Sequence, residues 1–182
     1  QLLIRAGFID KLMAGVYTVL PLGLKVMKKI ENIIRREMEA AGGQELLMPA
    51  LQPKENWQKT GRWETLDSLF RFTSHYSKID FALGPTHEEI ISPLVKKFNL
   101  SYKDLPVSLF QFQTKFRDEK RAKSGILRGR EFLMKDFYSF HSDEKDADNY
   151  YEKMKGHYKN IFNQCGIGEK TYLTFASGGS FS

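Results

Sequence analysis

The chain carries a single cysteine, Cys165, so no internal disulfide framework can form, and a reducing compartment such as the cytoplasm suits it. No apolar run approaches the length of a bilayer span, so no membrane association is expected. The apolar start, QLLIRAGFIDKLMAGVYTVLPLG, is broken by Arg5, Asp10 and Lys11 and makes a poor signal peptide. Internal repeats and low-complexity tracts are missing. His75, His87, His141 and His157 show neither an HxxxH pair nor a Cys/His spacing, which argues against a zinc centre; no metal ligands are assigned. There is no GxxxxGK[ST] phosphate loop and no legible Ser/His/Asp nucleophile motif. The first residue is Gln1 rather than Met, and the last stretch, ASGGSFS, offers no closing element. We therefore expect a segment of a longer chain.

What is present is ordinary in bulk. The 182 residues suffice for one domain with a core, at 41% hydrophobic and 27% charged. Phenylalanine is abundant, with 14 copies, which predicts an aromatic-rich core. The net charge of +6 leans towards a polyanionic partner.

Leu24, Met27, Ile30, Ile34 and Met38 recur at helical spacing after Pro21, and Gly42-Gly43 supplies a stop. ELLMPAL (45–51) reads as a strand closed by Pro49. Residues 52–68 hold both tryptophans and read as a loop with a short helix. Strands are predicted over 69–73 and 78–84, with a turn at 74–77. In PTHEEIISPLVKKF, Thr86 and Glu89 have the spacing of a capping box, and Pro93 should kink or limit the helix that follows. VSLFQFQTKFRDE (107–119) and RGREFLMKDFYSF (128–140) both alternate. Ser142 is predicted to cap a helix running to Cys165, read as a packing residue, and Gly166. A last strand near TYLTFA leads into an SGG turn. Helix, strands, long hairpin, helix and strand, without β-α-β alternation, predict an α+β fold: a single domain over 1–182 with an antiparallel β-sheet flanked by helices.

The hairpin carries the chemistry. Alternation puts Phe110, Phe112, Thr114 and Phe116 on one face and Gln111, Gln113, Lys115, Arg117 and Glu119 on the other. In the second strand Arg128, Arg130, Phe132, Met134, Asp136 and Tyr138 share a face. If the strands pair, Arg117, Glu119, Arg128 and Phe132 become neighbours. Guanidinium forks suit phosphates, a carboxylate accepts from an exocyclic amine, and a phenylalanine offers a stacking face. These groups satisfy a nucleotide triphosphate site; a solvated hairpin with cross-strand charge pairs satisfies the same pattern. Lys120, Arg121 and Lys123 form a basic connector that either reaches a nucleic-acid backbone or is solvated. In GPTHEE the capping box accounts for Thr86 and Glu89 but leaves Glu88 without a task. Thr86 and Glu88 together have the chemistry to hold an ammonium. His87 reads as a surface or supporting residue.

These residues carry a resemblance. FRDE (116–119), a loop and RGREF (128–132) resemble motif 2 of class II aminoacyl-tRNA synthetases. Residues 24–49, a long helix then a strand closed by proline, resemble motif 1, the dimer-forming element of that class. GPTHEE, MKDFYSFH and RAGFIDKLMAGVYTVLPLG are similar to the bacterial-type prolyl family within it. The resemblance covers essentially the whole chain, as the amino-terminal part of a class II catalytic core. Motif 3 and the anticodon-binding domain are not in the chain.

The resemblance implies activation of proline by ATP to prolyl-adenylate, then transfer to the 3′ end of tRNA(Pro), with no covalent enzyme nucleophile. Arg117 would be the central catalytic donor, on the α-phosphate and then the carbonyl. Glu119 would read the adenine amine, Arg128 would reach the γ-phosphate and Phe132 would stack on adenine. Thr86 and Glu88 would bind proline's imino group, with Arg117 on its carboxylate side. Met134, Tyr138 and His141 would line the ring pocket, and Gly178 and Gly179 of the SGG turn would form its wall. Lys120, Arg121 and Lys123 would meet the tRNA acceptor stem, Mg2+ would accompany ATP, and motif 1 would build a homodimer. A threonyl or seryl relative, or a non-catalytic tRNA-binding relative, is the alternative.

Overall fold

Pro21 opens the longest early helix, at a first-turn position where its missing N–H costs nothing. The computed structural model describes residues 1–98 and 101–175. In chain order they form α1 (Leu2–Arg5), β1 (Ile9–Met13), β2 (Val16–Val19), α2 (Pro21–Ala40), β3 (Gln44–Glu45), β4 (Leu51–Pro53), α3 (Lys54–Lys59) and α4 (Arg62–Thr65). There follow β5 (Phe70–Thr73), β6 (Asp80–Leu83), α5 (Glu88–Lys97), β7 (Val107–Phe116), β8 (Glu131–Phe140) and α6 (Glu144–Gln164). Helix α2 ends as its glycines predict. Gly42 takes a left-handed φ of 97°, and Gly43 N donates back to Met38 O at 2.9 Å.

The α+β class holds, with the sheet divided in three. β1 and β2 form a hairpin, β4-β6-β5 an antiparallel sheet, and β3-β7-β8 a mixed one in which β3 runs parallel to β7. The β7–β8 ladder runs unbroken from Val107↔Phe140 to Phe116↔Glu131, the predicted pairing frame.

ELLMPAL is not one strand. Its middle crosses between two sheets, and side chains take over from the ladder. Gln111 Oε1 accepts from Met48 N at 2.9 Å, and Gln113 Nε2 donates to Met48 O. Residues 52–68 hold two short helices rather than one, with Trp57 and Trp63 both buried. The cap of α6 is Asp143, one residue beyond Ser142; its carboxylate accepts from Asp146 N at 2.9 Å. Residues 171–175 form no ladder among the described residues, so the expected last strand is not formed there.

Pro93 does not stop α5, which continues to Lys97. The proline cannot donate to Glu89 O one turn earlier. Asn56 Nδ2 donates to that oxygen instead, at 2.9 Å.

Two apolar clusters hold the fold. Met38, Ala41, Phe110, Met154 and Ile161 pack where α2 and α6 cover one face of β7–β8, with Cys165 against them. Phe110 and Phe137 stack there at 6.1 Å, as the alternation of the hairpin predicts. Trp57, Trp63, Leu66, Leu69 and Ala82 form the second cluster. Phe116 is half-buried and joins neither. Among the described residues no helix is long and apolar enough to cross a membrane.

Candidate functional site

The other face of the β7–β8 hairpin is polar, and the register places its residues. Lys115 lies opposite Phe132, Gln113 opposite Met134 and Gln111 opposite Asp136. The pairing continues past the ladder, where Arg117 N donates to Arg130 O at 2.8 Å. The Arg117 guanidinium donates to Pro85 O at 3.3 and 3.4 Å and lies 5.3 Å from the Phe132 ring centre. Burial pushes it below the usual guanidinium value. Arg128 meets Glu119 through Nε and Nη2, each 2.7 Å from Oε2. All four residues expected of a nucleotide site therefore sit together.

A residue that sequence reasoning left aside organises this corner. Arg130 donates from Nη2 and Nε to Glu119 O at 2.8 and 3.2 Å, and from Nη1 to Ala14 O at 3.0 Å. Its backbone N donates to Gly15 O at 2.7 Å. The β1–β2 turn is thus clamped onto the segment that carries Glu119. Gly15 has a left-handed φ of 81°, and a Cβ there would stand 2.7 Å from that of Ala122, so the close approach requires glycine.

The turn before α5 borders the same face. Gly84 O accepts from Phe116 N at 3.1 Å, and Gln52 Nε2 donates to Thr86 O at 3.1 Å. The expected capping box is not formed. His87 is the N-cap residue, Thr86 Oγ1 hydrogen-bonds Glu88 Oε2, and Glu89 is drawn inward. Arg62 Nη1 and Thr60 Oγ1 donate to Glu89 Oε1 at 2.9 and 3.2 Å, while Oε2 is buried without a hydrogen-bond partner among the described residues. Glu88 is left exposed beside Thr86, and Tyr138 is within hydrogen-bonding reach of the Thr86 hydroxyl. Burial, with Asp136 and Glu88 nearby, pushes the Tyr138 phenol well above its ordinary value, so it stays protonated.

Other expected residues divide. Met134 shares the polar face, half-buried beside Gln113. His141 lies on the helix-covered side instead: its Nδ1 is 2.6 Å from Asp146 Oδ2 and its ring centre 5.2 Å from that of Tyr150. Gly178 and Gly179 lie outside the described residues. Lys120, Arg121 and Lys123 are exposed on the connector, where Lys120 Nζ stands 3.3 Å from Asp67. Among the described residues no three His, Cys, Asp or Glu side chains converge as a metal site would need.

Beneath this surface lies a buried cluster that the sequence did not announce. Lys115 and His87 are fully buried, so His87 is a supporting residue and not a surface one. Lys115 Nζ donates to Asp136 Oδ2 at 2.9 Å and contacts His87 Nδ1. Burial, then the Lys115 charge, push the His87 ring below its ordinary value. The available signal was weak: Lys115 and Asp136 share a strand face, but nothing local marks that face as covered.

The family model for the class II tRNA synthetase core domain (G, H, P, S and T) matches residues 70–180. A curated proline–tRNA ligase of Geobacillus sp. (strain WCH70) is 56% identical over 174 residues, covering 95% of the chain and 30% of that protein. One of Pelotomaculum thermopropionicum is 55% identical over 168 residues, 92% of the chain and 29% of the relative. The chain therefore spans about 30% of the length of the curated relatives it matches. Among solved structures, a prolyl-tRNA synthetase of Cryptosporidium parvum complexed with L-proline and AMP superposes with a TM-score of 0.79 at 22% identity. It covers 90% of this chain and 33% of that one, a likeness of fold.

Proposed function

Since the chain belongs to the class II tRNA synthetase core-domain family, we propose that it forms the ATP- and proline-binding part of a cytoplasmic proline–tRNA ligase. Residues 1–182 are then the amino-terminal part of the catalytic core, with motif 3 and the anticodon-binding domain outside the chain. The observation that carries this reading is the meeting of Arg117 with Phe132 and of Arg128 with Glu119 at the connector end of the β7–β8 hairpin, next to the Thr86–Glu88 turn. The names of the curated relatives support proline as the amino acid and tRNA(Pro) as the acceptor.

In this reading the adenine base lies on Phe132, with its amine at Glu119. Arg128 turns from Glu119 to the outer phosphate. Arg117 stands between the two substrates and donates to the α-phosphate oxygens as proline's carboxylate attacks. Its role is charge stabilisation at a fixed position, with no covalent step on the protein. Thr86 and Glu88 hold the secondary ammonium, and Met134 and Tyr138 bound the ring. The magnesium expected to arrive with ATP belongs to the substrate. His141, which faces Asp146 and Tyr150, would act on the pocket through the end of β8. Motif 1 at α2 would serve the homodimer.

The test is proline-dependent ATP–pyrophosphate exchange by the full-length protein. Replacing Arg117→Ala should lower the exchange rate by about a hundredfold, the equivalent of ~3 kcal/mol of charge stabilisation. An activity within a few-fold of the unmodified protein would show that Arg117 is not the central donor. Exchange driven by threonine or serine in place of proline would move the chain to another branch of the class.

A further inference from the structure

The polar face of the hairpin covers a chain of contacts whose two ends lie on the proposed amino-acid site. At one end the Tyr138 hydroxyl donates to Asp136 Oδ2 at 2.8 Å. The same oxygen accepts from Gln111 Nε2 and Lys115 Nζ, each at 2.9 Å. Lys115 also contacts His87 Nδ1, and His87 Nε2 lies 3.0 Å from Pro49 O. An ammonium has no lone pair, so Nδ1 must accept and Nε2 must carry the ring proton. His87 is the residue between Thr86 and Glu88. The contacts thus run from Tyr138 through Asp136, Lys115 and His87 to the Thr86–Glu88 turn.

Packing alone does not call for this arrangement. A buried ion pair is often no more stabilising than apolar side chains of the same size. The two apolar clusters that hold the fold lie elsewhere, and the β7–β8 ladder already joins the strands. What the network adds is orientation. Three donors converge on one carboxylate oxygen, while Oδ1 of Asp136 is buried without a hydrogen-bond partner among the described residues. With its proton committed to Asp136, the Tyr138 oxygen presents only lone pairs to the site above it. The Lys115–His87 contact holds the turn on which Thr86 and Glu88 stand.

We propose that Asp136 is a positioning residue for amino-acid recognition, fixing the Tyr138 hydroxyl directly and the Thr86–Glu88 turn through Lys115 and His87. This rests on the reading of that site as the proline side of the enzyme. The network predicts an effect confined to one substrate, because among the described residues none of its side-chain hydrogen bonds reaches Phe132, Glu119 or Arg128.

The experiment is a double-mutant cycle in the full-length protein, read by ATP–pyrophosphate exchange. Asp136→Asn keeps the shape and removes the charge. It should raise the KM for proline by about tenfold and leave the KM for ATP within about twofold. On a Tyr138→Phe background the same change should add less than about threefold, because part of its route is already gone. Full additivity, an equal rise in both KM values, or a fall in kcat alone overturns the proposal. An unmodified protein without proline-dependent exchange overturns the site reading and the proposal with it. Normal exchange with an unmoved Asp136→Asn KM overturns the proposal alone. If Asp136→Asn shows no cooperative unfolding transition, Asp136→Glu, which keeps the charge and moves the oxygens by one methylene, decides: a rise in KM for proline only, absent on a Tyr138→Phe background, supports the proposal, and an unchanged value or an equal rise on both backgrounds overturns it.

Discussion

Arg128 and Lys115 each pair with a carboxylate, but in opposite surroundings. The Arg128 side chain is 57% exposed. Such a pair contributes about 1 kcal/mol or less, so a phosphate can displace Glu119 at little cost. Arg128→Ala should therefore leave Tm within about 3 °C and raise the KM for ATP by about tenfold, measured by thermal unfolding and exchange kinetics. Lys115 is fully buried, and its neighbour His87 is pushed below the ordinary imidazole value by its own burial and then by the adjacent ammonium, against the pull of Asp136 and Glu88. The sign of the pH effect comes from this lowered value. As pH falls through 6.5, the ordinary imidazole value, the unfolded chain takes up a proton more readily than the folded chain does. Stability should drop as pH falls below that value. Urea unfolding midpoints at about pH 7.5 and 5.5 should show the drop, and His87→Gln should narrow it. An equal drop in the variant would mean that other groups carry it.

At the scale of elements, α5 shows how a local signal is overruled. A helix-interior proline costs about 3 kcal/mol, partly through the carbonyl it leaves without a donor. Asn56, from α3, supplies that donor to Glu89 O. Asn56→Ala should therefore destabilise by about 1–3 kcal/mol, and Pro93→Ala in the same chain should recover most of it by restoring the helix's own N–H. Urea unfolding of the four proteins of this cycle measures the coupling; strict additivity would deny the compensation. The same helix explains which features were legible. The spacing of Thr86 and Glu89 predicts a capping box, but Arg62 and Thr60, distant in sequence, draw Glu89 inward through a charged pair and a hydroxyl donor. Alternation predicted both faces of the β7–β8 hairpin because period two leaves the backbone no choice. Residues 45–51 read as one strand because a polar ladder partner and a glutamine side chain look alike to an extended chain. Lys115 gave no sign of burial, since only its tertiary neighbours Asp136 and His87 make burial tolerable.

Across the whole molecule, the excess positive charge divides between two depths. Arg117 is partly buried and already engaged with Pro85 O and the Phe132 ring, where it can meet one small anion at a fixed position. Lys120, Arg121 and Lys123 stand on the exposed connector, and the Lys120–Asp67 contact is too solvent-accessible to hold that connector against a polyanion. The clamp of Arg130 on Glu119 O and Ala14 O fixes the base of the connector while its tip stays in solvent. The connector's charges should therefore act on tRNA alone. Every phosphate that a lysine or arginine neutralises adds roughly 0.7–0.9 to the steepness of log affinity against log salt concentration. Replacing Lys120, Arg121 and Lys123 together with alanine in the full-length protein should weaken tRNA binding and flatten that slope by about 2. Proline-dependent exchange, which needs no tRNA, should stay within about twofold of the unmodified protein. A salt titration of tRNA binding beside the exchange assay separates the two anions: a fall in exchange equal to the fall in binding would place the connector in the nucleotide site, and an unchanged salt slope would leave it without a role in RNA binding.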